Sequence, residues 1–448
     1  MASEALPIFD RRRAGVLLHL SSLDAALGRG GRAFIDWLCD AGFSVWQVLP
    51  LGPTAGSPYW VRSDFAGNPA FIDGGELPNA AGDAYAAFLE ASRSWLEDYS
   101  GFEVLSALHD GAPWWQWPRA YRDRDRAALE HLRVERAQQL SRIKLAQFAF
   151  AAQWQALRSY ARARGVRLLG DVPFYVAPDS AEVWTHREQF QLDSAGRPRA
   201  VAGVPPDYFS ELGQLWGNPL YDWTRMRFDG FEFWRARVRC QLARVDVLRI
   251  DHFRALAAHW AVPAGAPDAR GGAWRRTPGR ALLQSLQQEL SVLPLVAEDL
   301  GLITPDVEAL RRRFRLPGMR VLQFAFDGDP ANPHLPHMHR HNSVVYTGTH
   351  DNDTTLGWFA TLEPQAQRRV AAYLGSTSMP QALIRAACAS VAQLAVVPMQ
   401  DLLGLGSAAR FNTPGTMQGN WSWKLEAAAL NHDSSQHYAG LNRLYARA

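Results

Sequence analysis

The sequence predicts an α/β protein built on a closed (β/α)8 barrel, and three observations carry that expectation. Short apolar runs alternate with helical stretches about eight times along 448 residues. The runs lack polar alternation, as strands of a parallel sheet do when both faces are buried. Four acids, Asp171, Asp251, Glu298 and Asp351, stand at the C-terminal ends of four different runs, which in such a barrel is the face that carries catalytic groups. Any one of them alone can be a helix N-cap. Four from four strands converge on one mouth.

Taken in order, Gly15–Leu20 reads as a buried strand, Ala33–Ala41 as a helix and Val45–Leu49 as the next strand. Residues from about 51 to 140 are rich in Gly, Pro and Trp, with helical pieces at Ala84–Leu96 and Arg126–Leu140. That is too long for a βα loop and reads as an insertion on the scaffold. Helix Leu145–Arg162 and strand Val166–Asp171 follow. A second insertion, about 174–228, reads as loop, with Gly203–Glu211 as a possible lid. Helix Phe231–Leu242 leads into the apolar stretch Val245–Ile250, and His259–Val262 reads as a further strand. Then come helix Arg280–Leu290, strand Leu293–Asp299 ending in two acids, helix Val307–Arg313, strand Val321–Phe324 and strand Ser343–Asp351 ending in His-Asp. Helices Pro364–Tyr373 and Gln381–Ala389 precede a last strand, Ala395–Met399. One catalytic barrel over residues 1–448 is the expected organisation.

Composition excludes several classes. With 47 basic and 44 acidic residues the net charge is only +3, and the triplets Arg11–Arg13 and Arg311–Arg313 are too short for a nucleic-acid footprint. Only Lys144 and Lys424 are lysines. Neither follows one of the four strands, so a lysine base or Schiff base is not expected. Cys39, Cys240 and Cys388 are few, odd in number and far apart, which suits a reducing compartment, and no apolar run is long enough to span a membrane. A cytoplasmic protein is expected. His334, His337, His339 and His341 lie close together, but in a Pro-containing loop without strand or helix spacing, so no metal site is expected there.

The acids point to chemistry. Arg249 lies two residues before Asp251, on the same strand face, and should hold that carboxylate ionised. A single R-x-D is as readily a structural ion pair. Glu298 follows an apolar run and is followed by Asp299, so burial and a like charge should raise its pKa. One ionised and one protonated carboxyl, about 5–5.5 Å apart, is what retaining glycosidic chemistry requires. A divalent-cation cage of acids with a histidine base is the alternative. Tyr59, Trp216 and Trp358 suit stacking on sugar rings, although each is equally at home in a core.

Longer motifs surround these residues: Arg249–Phe253, Ala297–Gly301, Thr347–Thr354, Trp46–Pro53, Ser57–Tyr59, Gly170–Val176, Gly203–Glu211, Leu215–Tyr221, Asn412–Gly415 and Gly419–Trp423. Together they resemble the 4-α-glucanotransferases (amylomaltase or disproportionating enzymes) of the α-amylase superfamily. The resemblance implies a barrel with inserted subdomains that acts on α-1,4-glucans and maltooligosaccharides by a retaining double displacement, without cofactor or metal. It makes Asp251 the nucleophile, Glu298 the acid and base, and Asp351 the stabiliser of the transition state. It places Tyr59, Asp171, Asp207, Trp216, Arg249, His252 and His350 around the substrate. An α-glucan hydrolase and a non-catalytic glucan-binding protein are the alternatives. The chain departs from the family pattern at His19–Asp24 and just before Ser57, where it is shortened, so its differences are expected in donor-side contacts.

Overall fold

Side chains pointing alternately to two buried layers decide the architecture. The computed structural model describes residues 8–54, 56–74, 78, 82–206, 210–416 and 418–448. Among these, the strands are β1 (Arg13–Leu17), β2 (Val45–Gln47), β3 (Arg167–Val172), β4 (Ala200–Val204), β5 (Gln214–Pro219), β6 (Val247–Ile250), β7 (Ala258–Pro263), β8 (Ala273–Arg276), β9 (Leu295–Ala297), β10 (Gly318–Val321), β11 (Ser343–Tyr346) and β12 (Leu394–Pro398). Eight of them close a parallel barrel in the order β1-β12-β11-β10-β9-β6-β3-β2. Leu17, Leu169, Val247, Val296, Met319, Val344 and Val396 share one buried cluster. Their neighbours Val16, Leu168, Leu248, Leu295 and Val397 belong to the larger cluster that includes residues of the surrounding helices. Both faces are apolar, which is why the strands read as unbroken runs.

Within this frame the period of two has a chemical consequence. Val247 faces the barrel interior, so Arg249 and the residue after the strand end, Asp251, lie on that face as well. On β3 the same holds for Leu169 and Asp171. Asp171 sits in register beside Arg249 across the β3–β6 ladder.

Three sequence expectations need correction. Strand β10 is Gly318–Val321, and Leu322–Phe324 is a 3-10 turn. Arg320, only partly buried, interrupts the apolar pattern of that strand. His259–Val262 is a strand, but it lies in β7 of a separate antiparallel sheet, β5-β4-β7-β8. The stretch 174–228, read as loop, supplies β4 and β5 to that sheet. Gly203 misled there. A Cβ at this position would lie 2.4 Å from the carbonyl oxygen of Gln214 on the paired strand, so glycine permits close pairing rather than marking a turn.

The stretch 51–140 falls between β2 and β3, with helices Asp83–Ala91, Leu96–Leu108 and Arg126–Glu135, and the helix Ala137–Ala163 continues past it. The loop histidines serve local structure. His334 Nδ1 accepts from the Val321 N–H, while His339 bonds Ser390 Oγ and the His334 carbonyl. His337 meets Tyr373 and the Pro330 carbonyl. Among the described residues no helix is long and apolar enough to cross a membrane.

Candidate active site

Asp251 and Glu298 are the first residues past β6 and β9, which are neighbours in the barrel. Their own N–H groups still donate into the sheet, Asp251 to the Val172 carbonyl at 3.0 Å and Glu298 to the Ile250 carbonyl at 3.1 Å. The barrel ladder therefore fixes where both carboxyls begin.

Beside Asp251, one guanidinium gathers three oxygens. Arg249 Nη2 lies 2.9 Å from Asp251 Oδ1 and 2.8 Å from Asp171 Oδ2. It also donates to the Tyr59 hydroxyl at 3.1 Å, and that hydroxyl donates to Asp171 Oδ2 at 2.6 Å. The Asp171 side chain is fully enclosed, so what it meets is Arg249 and Tyr59 rather than open cleft. Because Arg249 is shared, it does not dominate Asp251 as the sequence suggested. Burial, with the charges of Asp171 and Asp351, outweighs Arg249 and His350 and raises the Asp251 pKa to about 6.

Glu298 is held differently. Its Oε2 accepts the His252 N–H at 2.7 Å and its Oε1 accepts the Leu300 N–H at 3.2 Å. His252 adopts φ +51, a left-handed conformation uncommon outside glycine, in the turn that presents its N–H to Glu298. Burial first, and the charge of Asp251 second, push Glu298 up to about 8. The two neighbouring carboxyls thus sit in unlike surroundings, Asp251 against a guanidinium and Glu298 against backbone N–H groups with the charge of Asp251 opposing its ionisation.

Asp351 does not end its strand as the sequence suggests: β11 stops at Tyr346, and Asp351 follows five residues later in the loop. His350 Nε2 lies 3.2 Å from its Oδ2, and Asn412 Nδ2 donates to its Oδ1 at 2.6 Å. Burial would raise its pKa, but the charge of His350 and these two hydrogen bonds hold it down to about 2. His350 stacks on Tyr59, with ring centroids 5.0 Å apart, and Trp421 packs beside both. On another side of the carboxyls, Trp216 meets His252 edge-on at 4.7 Å and Tyr175 at 6.2 Å. Burial keeps His252 neutral, with its pKa lowered to about 3.

The structure thus brings together Tyr59, Asp171, Arg249, Asp251 and His350, with Glu298, His252, Asp351 and Trp216 around them. Asp207 lies outside the described residues. Trp358 belongs elsewhere: it packs with Phe326 and Phe359 against the apolar cluster around Val345 and Leu383. The sequence reading gave no role to Tyr175, Arg410, Asn412 or Trp421. The last two stand in quoted motifs of the tail, and nothing local said which strand end they reach. Beside Trp421 opens a cleft of about 290 Å³ lined by His19, Ser21, Thr54, Asn68 and Lys424, at the two places where the chain is shortened.

A family model described as 4-alpha-glucanotransferase matches residues 18–81 and 77–430. The chain belongs to the 4-alpha-glucanotransferase family. It is 44% identical to the 4-alpha-glucanotransferase of Thermus thermophilus, over 97% of this chain and 98% of that one. The 4-alpha-glucanotransferase of a Synechocystis strain is 42% identical, over 98% and 99%. Among solved structures, amylomaltase from Streptococcus agalactiae in complex with acarbose superposes with a TM-score of 0.93 at 30% identity, covering 98% of this chain and all of that one. Transfer of α-1,4-glucan segments between glucans is therefore the reaction of this 4-alpha-glucanotransferase.

Proposed function

We propose that the protein carries out this transfer by a retaining double displacement with Asp251 as nucleophile and Glu298 as acid and base. An Asp251 oxygen attacks the anomeric carbon as the bond to the leaving oxygen breaks, and that oxygen takes the Glu298 proton. The 4-hydroxyl of the acceptor then gives its proton to Glu298 and displaces Asp251. The observation that carries this reading is the pair of carboxyls at adjacent strand ends in unlike surroundings: Asp251 lies 2.9 Å from the Arg249 guanidinium, whereas Glu298 meets the His252 and Leu300 N–H groups, with burial and the charge of Asp251 raising its pKa. Asp351, ionised and half exposed, offers negative charge to the oxocarbenium-like transition state. Asp171 and Tyr59 anchor Arg249, while His350 and His252 face sugar hydroxyls. Trp216 forms an acceptor-side wall, and the family resemblance gives Asp207 a part in acceptor binding. Donor units further along occupy the cleft beside His19 and Trp421. No step requires a cofactor.

Incubation with maltotriose tests the reading: glucose plus a ladder of longer oligosaccharides is expected. Products no longer than the substrate would assign the chain to hydrolysis instead, since water competes for the same glucosyl-enzyme.

A further inference from the structure

Asp351 is placed less directly than its partners. Among the described residues no barrel strand hydrogen-bonds to it, its side chain is half exposed, and its terminal torsion is soft. The loop that carries it is turned by Asn352, whose Oδ1 accepts from the N–H and hydroxyl of Thr349. The neighbouring His350 meets one carboxyl oxygen, and the other is held from the segment after β12. Arg410 Nη2 donates to the Asp351 carbonyl at 2.6 Å, and its Nε donates to the Asn412 carbonyl at 2.6 Å, so one guanidinium ties the two backbones together. The Asn412 amide then reaches Oδ1 of Asp351, opposite the oxygen met by His350. Asn420 Oδ1 accepts the Thr413 N–H and secures the turn behind it.

We propose that Asn412, set by Arg410, is a positioning residue for glucan transfer: it fixes the plane of the Asp351 carboxylate without cancelling its charge. A lysine or arginine at 412 would orient the carboxylate equally well but neutralise the field Asp351 directs at the transition state. A neutral amide orients and leaves that field intact. The proposal rests on the reading of Asp351 as the stabilising carboxylate.

The test compares Asn412→Ala, Asn412→Asp and Asp351→Asn in maltotriose disproportionation, with melting temperatures and pH profiles. Asn412→Ala should lower kcat on the order of 10- to 100-fold, with KM changed less than about twofold and melting unchanged. The isosteric Asn412→Asp should lose as much and move the acid limb of the profile to higher pH, because a second carboxylate opposes ionisation of its neighbours. Full kcat in Asn412→Ala, a loss confined to KM, or an unmoved acid limb in Asn412→Asp would overturn the proposal. If Asp351→Asn itself keeps parental kcat, the reading of Asp351 fails. If only Asp351→Asn collapses, the role of Asn412 fails alone.

Discussion

The two sides of the site are held by different means. Asp251 and Glu298 leave the barrel at adjacent strand ends, with their own N–H groups bonded into the ladder. Asp351 hangs on a loop five residues past β11 and is clasped by Arg410 and Asn412, some 60 positions further on. Covalent attack needs atoms held at bonding distance, and a parallel ladder supplies that rigidity. Electrostatic stabilisation falls off more gently with distance, so a braced loop suffices for it. The two sides should therefore fail differently when altered.

The largest effect is expected on the ladder side. Asp251→Asn should lower turnover of every donor on the order of 10⁴-fold, because the proposed mechanism then lacks its nucleophile. Glu298→Gln should lose comparably with maltotriose. With a glycosyl fluoride, whose leaving group needs no proton, its first step should recover, read as accumulation of a covalent glucosyl-enzyme by mass spectrometry. Recovery in Asp251→Asn as well would reverse the two roles.

Arg249→Lys comes next, because it keeps a charge but removes the fork that meets Asp251, Asp171 and Tyr59 together. A loss on the order of 100-fold in kcat is expected. The proposed mechanism needs Asp251 ionised and Glu298 protonated, so the parent rate should rise through pH about 6 and fall through about 8. Weaker contact with the cation favours protonated Asp251, so the rising limb of Arg249→Lys should move to higher pH. A limb that stays in place would show that Arg249 does not set the ionisation of Asp251.

The same division governs what the sequence makes legible. Strand-end acids are local signals: Asp251 and Glu298 are each the residue at which an apolar run stops, and the period of two puts Arg249 on the face of Asp251. The brace on Asp351 depends on where the chain returns after β12, which no local pattern encodes. Side-sheet strands were hidden because Gly203 and Gly217 read as turns and because β4 finds its partners in β5 and β7 rather than by local alternation. The raised pKa of Asp251 is not legible for a similar reason. The spacing shows that Arg249 is near, but not that Asp171 and Tyr59 draw on the same guanidinium.

The smallest effect is expected where the site leans on the side sheet. Trp216 lies on β5, outside the barrel, half-buried against His252 and Tyr175. Its ring is far less constrained by the ladder than either carboxyl, and the interaction it offers a sugar face is about 0.5–1.5 kcal/mol. Trp216→Ala should therefore raise the KM for an acceptor such as glucose by roughly tenfold at most, leaving formation of the glucosyl-enzyme from a glycosyl fluoride unchanged. A weaker acceptor wall also lengthens the life of the intermediate, so more of it should be lost to water. The ratio of free glucose to longer oligosaccharides from maltotriose should rise in step with the acceptor KM. A fall in the first step as large as that of Arg249→Lys would show that the Trp216–His252 contact positions Glu298 through the turn at His252, and the side sheet would then belong to the catalytic frame rather than to its acceptor wall.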